Sequence, residues 1–257
     1  MTDITLYGYT TSPFVRKVAA CLYYKQLDFT HIPVNPIAPQ DTIGFSGGTQ
    51  VPILKIGDEW KTDSTPIAHW LDEAFPEHAL LPQDAALRKR VIEIDNWVSH
   101  MFLPSFFRAA IDGPDTLGFR RRAWRLAQIV SIHTPLPEHI RHRWPDLLRM
   151  APFIQHMVKS LNRDEPLAQM QMRLGMELIG HLGDGPFMGG SVAPTLADLA
   201  LYPQVIFGYL MGLESELSAA KAPPLRDWIE RMSKVLPENT FMIPEEFWVR
   251  RLRDALT

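Results

Sequence analysis

The sequence predicts a chain in two parts: an α/β unit with a mixed four-stranded sheet over residues 1–78, then an all-helical unit over residues 85–257. Three observations carry this reading. Short apolar runs of strand character alternate with helical patterns only as far as residue 75. Gly57-Asp58 stands between the runs Val51–Ile56 and Glu59–Thr62, the composition of a two-residue hairpin turn. After the aperiodic stretch Ala79–Asp84, which reads as a linker, no convincing strand follows.

In order, Ile4–Tyr9 is the first strand and Ser12-Pro13 opens a helix to Lys25. A serine there accepts from otherwise free N–H groups, and proline at the first helical position loses no bond. Phe14, Val18, Cys21 and Leu22 share one face of that helix. Asp28–Val34 is the second strand, joined to the first by a parallel crossover. A glycine-rich loop, Gly44–Gly48, leads to the Val51–Ile56 strand, and Glu59–Thr62 returns antiparallel. Asp63-Ser64-Thr65-Pro66 opens a helix with Ile67, Leu71 and Phe75 inward.

In the second unit, Ala85–Ile111 reads as one long helix bent at Pro104, and Thr116–Ile132 as another beyond Gly113-Pro114. Residues 133–166 are proline-punctuated and basic, and yield no element. Pro166–Leu182 is helical and ends at Gly183-Asp184-Gly185-Pro186. Thr195 and Asp198 form a capping-box pair, with Pro194 and Leu199 as its staple, before an apolar helix to about Met211. Pro224–Val235 and Pro244–Leu256 are the last helices.

Of the 257 residues 46% are hydrophobic, enough to bury a core, and the net charge of −3 gives no general pull toward nucleic acid or membrane. No apolar run reaches membrane-spanning length, and the start, MTDITLYGY, has no leader pattern. Cys21 is the only cysteine, which excludes an intrachain disulfide and a cysteine metal site and points to a reducing cytoplasm. His139 and His142 are the nearest histidine pair, in a charged segment, and no metal is expected there.

Three places in the first unit carry chemistry. A strand passing directly to a helix start at Ser12 makes a site for negative charge, because free N–H groups and the helix dipole meet there. Val51-Pro52 opens a strand, and an X–Pro bond is the one that tolerates cis cheaply. The resulting kink would leave the Val51 backbone free to pair with an extended peptide. Asp63-Ser64 offers a helix N-terminus for a carboxylate and an acid for an ammonium. A small zwitterionic peptide with a thiol satisfies all three.

These residues resemble the soluble glutathione transferases. The resemblance rests on Ser12-Pro13-Phe14-Val15-Arg16-Lys17-Val18, Val51-Pro52-Ile53-Leu54, Asp63-Ser64 with Ile67, and Leu80-Leu81-Pro82. Further along it includes Pro186-Phe187-Met188-Gly189-Gly190 followed by Thr195-Leu196-Ala197-Asp198. It implies a thioredoxin-like first domain, a helical second domain and a homodimer. It further implies glutathione as co-substrate and a small hydrophobic electrophile as the other; the charge balance adds the expectation of no nucleic acid or membrane partner. By position, Ser12 would hydrogen-bond the glutathione sulfur, the Val51 backbone would pair with the cysteinyl unit, and Asp63 and Ser64 would hold the γ-glutamyl end. Gln50 would help at the glycyl end.

The sequence departs from the family in two ways: Asp63 stands where Glu or Gln is commoner, and the loop before Val51 lacks the expected lysine. Residues 104–173 are longer than the family norm. The expected reaction is transferase chemistry, with glutathione-dependent ether cleavage as one form of it. A non-catalytic interaction module on the same fold is the alternative from another class, and the long 104–173 region favours it.

Tyr9, Met101, Phe102, Phe106, Phe107, Trp124 and Tyr209 are candidate walls of the electrophile pocket, each also readable as a helix-packing residue. Tyr7 and Tyr9 are rival thiol donors to Ser12. Cys21 is expected to pack as a small hydrophobe. Arg120, Arg121, Arg122 and Arg125 with Arg141, Arg143 and Arg149 read as a solvated basic face, and Met150, Met157, Met170, Met172 and Met176 as adaptable core packing.

Overall fold

The computed structural model describes residues 3–257. Its first part contains β1 (Ile4–Gly8), α1 (Pro13–Tyr24), β2 (Thr30–Pro33), α2 (Gln40–Ile43), β3 (Ile53–Ile56), β4 (Glu59–Thr62) and α3 (Ser64–Ala74). The four strands lie in the order β2-β1-β3-β4, with β1 and β2 parallel and the other pairs antiparallel. The alternation along β1 assigns the faces. Ile4 and Leu6 join the main core with α1 and α3, while Tyr7 packs on the opposite face against Val34, Ile43 and Ile53. Gly8 is where α1 closes on the sheet: a Cβ there would stand 2.3 Å from Val15 Cγ2, so only glycine fits. The stretch read as one glycine-rich loop carries α2 and a 3₁₀ turn, Gly44–Ser46.

The connection over residues 79–84 is pinned rather than slack. Leu80 and Leu81 N–H groups donate to the Asp72 carboxylate, which also pairs with Lys25 Nζ at 2.7 Å. Leu196 N–H in turn donates to Leu80 O at 2.8 Å, tying the linker to the helical part.

That part contains α4 (Ala85–Trp97), α5 (Leu103–Asp112), α6 (Leu117–Ser131), α7 (Glu138–Met150), α8 (Pro152–Met157), α9 (Leu167–Leu182), α10 (Leu196–Leu210), α11 (Pro223–Val235) and α12 (Arg253–Leu256). At its centre is α10, apolar on all sides and buried almost throughout. The carboxylate of Asp198, fully buried, accepts from Met188 N, Thr195 N, Thr195 Oγ1 and Trp228 Nε1 at 2.8–3.0 Å. Burial pushes its pKa up to about 6 against the pull of those four donors.

Four sequence expectations change here. The long helix stays helical from Ala85 to Asp112, but its irregularity is a π-helical turn, Val98–Phe102, just ahead of Pro104 rather than a bend at it. The wider turn absorbs the missing N–H and ring of Pro104 before α5 begins. Residues 133–166, left without an element, form α7 and α8, with Pro145 inside α7 and Pro152 opening α8. The expected helix Pro244–Leu256 is instead a 3₁₀ turn, Glu245–Phe247, an irregular stretch and the four-residue α12. The C-terminal stretch is held from outside itself, with Val249 N–H on Leu210 O and Arg125 on Phe247 O. Among the methionines Met170 is core, but Met150, Met172 and Met176 are each about 70% exposed. The helical period turns Met170, Leu174 and Leu178 inward and so turns Met172 and Met176 out.

Candidate active site

The strand registers alone bring three distant stretches together. Tyr7 pairs with Ile53, and Ile53 with Thr62. The end of β1, the start of β3 and the end of β4 therefore lie at one end of the sheet, and Tyr9, Val51 and Ser64 each stand one or two residues past it. The loop that ends at Ser12 leaves β1 at that end, and α3 starts there too.

Ser12 caps α1. Its Oγ accepts from Val15 N–H at 3.4 Å and its own N–H donates to Tyr9 O at 2.9 Å, leaving the hydroxyl proton available. The side chain is 4% exposed. The loop is clamped from behind by Arg16, whose Nη1 donates to Thr11 O at 3.0 Å and Thr10 O at 3.4 Å. Arg16 Nη2 donates to Gln204 Oε1 at 2.7 Å, and Gln204 Nε2 donates to Pro13 O at 2.9 Å. A residue of α10 thus fixes both the arginine and the helix start.

At the neighbouring corner, the Val51–Pro52 peptide is cis. The ladder starts at Ile53, which leaves Val51 beyond the last rung. Gln50 is exposed. Asp63 caps α3, accepting from Thr65 N–H at 3.4 Å, and holds φ +67°, ψ 129°. A non-glycine residue in that region stores about 1–3 kcal/mol and is commonest at functional sites. Asp63 is exposed and Ser64 is buried. Beneath them Lys17 Nζ pairs with Asp95 Oδ1 at 2.6 Å and donates to Thr65 Oγ1 at 2.8 Å, while Thr65 Oγ1 donates to Asp95 Oδ2 at 2.8 Å. This buried group joins α1, α3 and α4 directly under the α3 N-terminus.

The structure brings Ser12, Val51, Asp63, Ser64 and Tyr9 to one end of the sheet, with Gln50 next to Val51. The remaining candidate walls have other company. Met101 packs with Leu161, Met170 and Leu174. Phe102 stacks on Trp97 and meets Phe106 edge-on, and Phe107 meets Phe153. Trp124 is turned to α7, donating from Nε1 to His142 O. Tyr209 lies one turn beyond the Gln204 clamp, under the guanidinium of Arg250, and lines a shallow cleft with Leu217, Lys221 and Ala255.

Burial raises the pKa of the Tyr9 phenol. Cys21 is fully buried and its thiol is pushed up to about 12, so it carries no nucleophilic chemistry. The basic stretch is divided: Arg121, Arg122, Arg141 and Arg143 are exposed, as a solvated face requires, whereas Arg120 pairs with Asp115 and Asp146, Arg125 donates to Met211 O and Phe247 O, and Arg149 lies over Phe119. Among the described residues no group of three or more His, Cys, Asp and Glu side chains is placed to hold a metal ion. Sequence reasoning quoted Arg16 and Lys17 but gave them no role, and missed Asp95 and Gln204. The available signal was two successive cations in a helix that is otherwise largely apolar.

The models of the glutathione S-transferase N-terminal and C-terminal domains match residues 6–79 and 169–231. The chain belongs to the glutathione transferase superfamily. Glutathione S-transferase Z1 of Arabidopsis thaliana is 37% identical over 93 residues, covering 35% of this chain and 41% of that protein. The probable maleylacetoacetate isomerase 1 of Drosophila melanogaster is 32% identical over 99 residues, 35% of this chain and 39% of that one. The chain thus matches less than half the length of these curated relatives. Similarity of fold extends further. The crystal structure of the beta-etherase LigF from Sphingobium sp. strain SYK-6 covers 93% of this chain and 97% of its own, at 20% identity and a TM-score of 0.59. The resemblance read in the sequence and the fold it implied are both upheld.

Proposed function

We propose that this glutathione transferase relative is an enzyme that binds glutathione across the end of the sheet and directs its thiolate at a small hydrophobic electrophile. The observation that carries the reading is the convergence of three stretches: the Ser12 helix start, the unpaired Val51 backbone before β3, and the Asp63–Ser64 start of α3. In this reading the Ser12 hydroxyl donates to the thiolate sulfur. Val51 pairs with the cysteinyl backbone, Gln50 reaches the glycyl end, and the α3 N-terminus takes the γ-glutamyl carboxylate while Asp63 takes its ammonium. The thiolate attacks carbon, the leaving group departs with the bonding pair, and the thiol proton goes to solvent. The binding unit is residues 1–78 and the electrophile enters from the side of residues 85–257. We further propose a cytoplasmic homodimer, as the resemblance implies.

Thiolate formation contributes only part of the rate. A free cysteine thiol of pKa ~8.5 is about 3% ionised at pH 7. Lowering it by ~2 units raises the thiolate about 25-fold, but a Brønsted slope of ~0.45 returns about eightfold of that. The larger share falls to holding thiol and electrophile together. Ether cleavage is the same displacement with an alkoxide or phenoxide leaving group, and it remains a form of this proposal.

Calorimetric titration of glutathione tests it. Wild type is expected to bind with millimolar or tighter affinity, Asp63→Ala to weaken binding at least tenfold, and Ser12→Ala to bind but lose the thiolate absorbance at neutral pH. No heat and no thermal shift at several millimolar glutathione would end the enzyme reading in favour of an interaction module.

A further inference from the structure

Arg16 is 5% exposed, and all of its partners are neutral: the carbonyls of Thr10 and Thr11, the amide oxygen of Gln204 and the face of Phe207, whose centroid is 3.8 Å from Cζ. Its Nε has no partner, and among the described residues no carboxylate pairs with it. A buried charge left without a counter-charge is costly, and three neutral acceptors and a ring face offset only part of that. Desolvation accordingly pulls its pKa down to about 9, which still leaves it cationic at neutral pH.

The position of this charge is what matters. Arg16 lies one helical turn after Ser12, its N–H donating to Ser12 O at 3.1 Å, and its guanidinium holds the two carbonyls that lead into the loop. Among the described residues no carboxylate neutralises it, so its field reaches the helix start. An anion held there gains from the cation, and the cation gains from the anion. Lys17, the next residue, has no such role because Asp95 already balances it.

We propose that Arg16 is a positioning residue for the thiolate: its unbalanced charge, acting through the Thr10–Pro13 loop and across space rather than by contact, supplies the counter-charge for the anion bound at Ser12. This rests on the glutathione reading above.

Gln204 provides the deciding variant. Gln204→Glu keeps an acceptor on Arg16 Nη2 and sets a carboxylate against it, cancelling the charge, but gives up the Nε2–H donated to Pro13 O. Gln204→Met gives up both Gln204 bonds, the one to Pro13 O included, and leaves the charge. The experiment is a pH titration of thiolate absorbance with glutathione bound to wild type, Arg16→Gln, Gln204→Glu and Gln204→Met. Arg16→Gln and Gln204→Glu are each expected to raise the midpoint by about one pH unit. Gln204→Met is expected to leave it within about 0.3 unit. A purely structural clamp predicts the reverse order, with Gln204→Met, which loses both bonds, moving the midpoint at least as far as Gln204→Glu, which loses one.

Glutathione binding by both charge variants with unmoved midpoints overturns the inference and leaves the glutathione reading standing. Absence of binding by wild type overturns both. If Arg16→Gln does not fold, Gln204→Glu decides alone.

Discussion

Arg16 and Lys17 follow each other on one turn of α1, and both are nearly buried, at 5% and 2% exposure. Lys17 meets Asp95 at 2.6 Å and Thr65 at 2.8 Å, so its charge is balanced where it stands. Arg16 meets only carbonyls, an amide and a ring. The two residues face different neighbours because the helical period turns them about 100° apart. One faces α3 and α4, where a carboxylate waits, and the other faces the Ser12 loop and α10, where none does. A balanced buried charge fastens helices together, whereas an unbalanced one reaches beyond its own contacts.

The largest effect that tests this contrast is Asp95→Ala. It strands the Lys17 ammonium in the interior with one hydroxyl, which is expected to cost about 3–5 kcal/mol in urea denaturation. Lys17→Met combined with Asp95→Leu is expected to recover most of that loss, since no charge is then left behind. A single-variant cost under about 1 kcal/mol would break the contrast.

Arg16→Met comes next. It leaves only neutral acceptors unpaired and is expected to cost about 1–2 kcal/mol by the same measurement, clearly less than Asp95→Ala. Equal costs would mean that both cations are simply structural.

The smallest effect concerns a third basic group. His31 is half-buried, its Nε2 2.9 Å from Gly8 O, and its ring centroid lies 5.9 Å from that of His133. Burial first, then His133, lowers its pKa below the ordinary 6.5. The unfolded chain therefore takes up this proton first, so stability is full above pH 6.5 and falls as pH drops through the native value. His31→Phe is expected to flatten that part of the profile in thermal unfolding between neutral and mildly acidic pH. An unchanged slope would remove His31 as its source.

How much of this could be read in the chain depended on the range of the causes. Ser12-Pro13, Gly57-Asp58 and the Thr195–Asp198 box act within a few residues, and each stands where the local pattern put it. The helices α7 and α8 escaped because Pro145 and Pro152 are read as breaks, although Pro152 opens its helix, where a proline is no obstacle, and α7 carries Pro145 in its interior. The expected helix over residues 244–256 failed for the opposite reason: its partners are Leu210 and Arg125, far off in sequence, and they hold an irregular path. The candidate site divides in the same way. Ser12, Val51, Asp63 and Ser64 are legible from motifs, but Arg16 finds Gln204 across 188 positions, and no local spacing encodes that pairing.

Cys21 has one more consequence. With zero exposure and a thiol pushed up to about 12, it leaves the chain silent toward alkylating and disulfide-forming reagents while it stays folded. A cysteine introduced by Ser12→Cys would report alone, against a blank background and with no native sulfur to remove. Its rate of modification as a function of pH would read out the electrical character of the helix start in the empty protein, before any peptide is added.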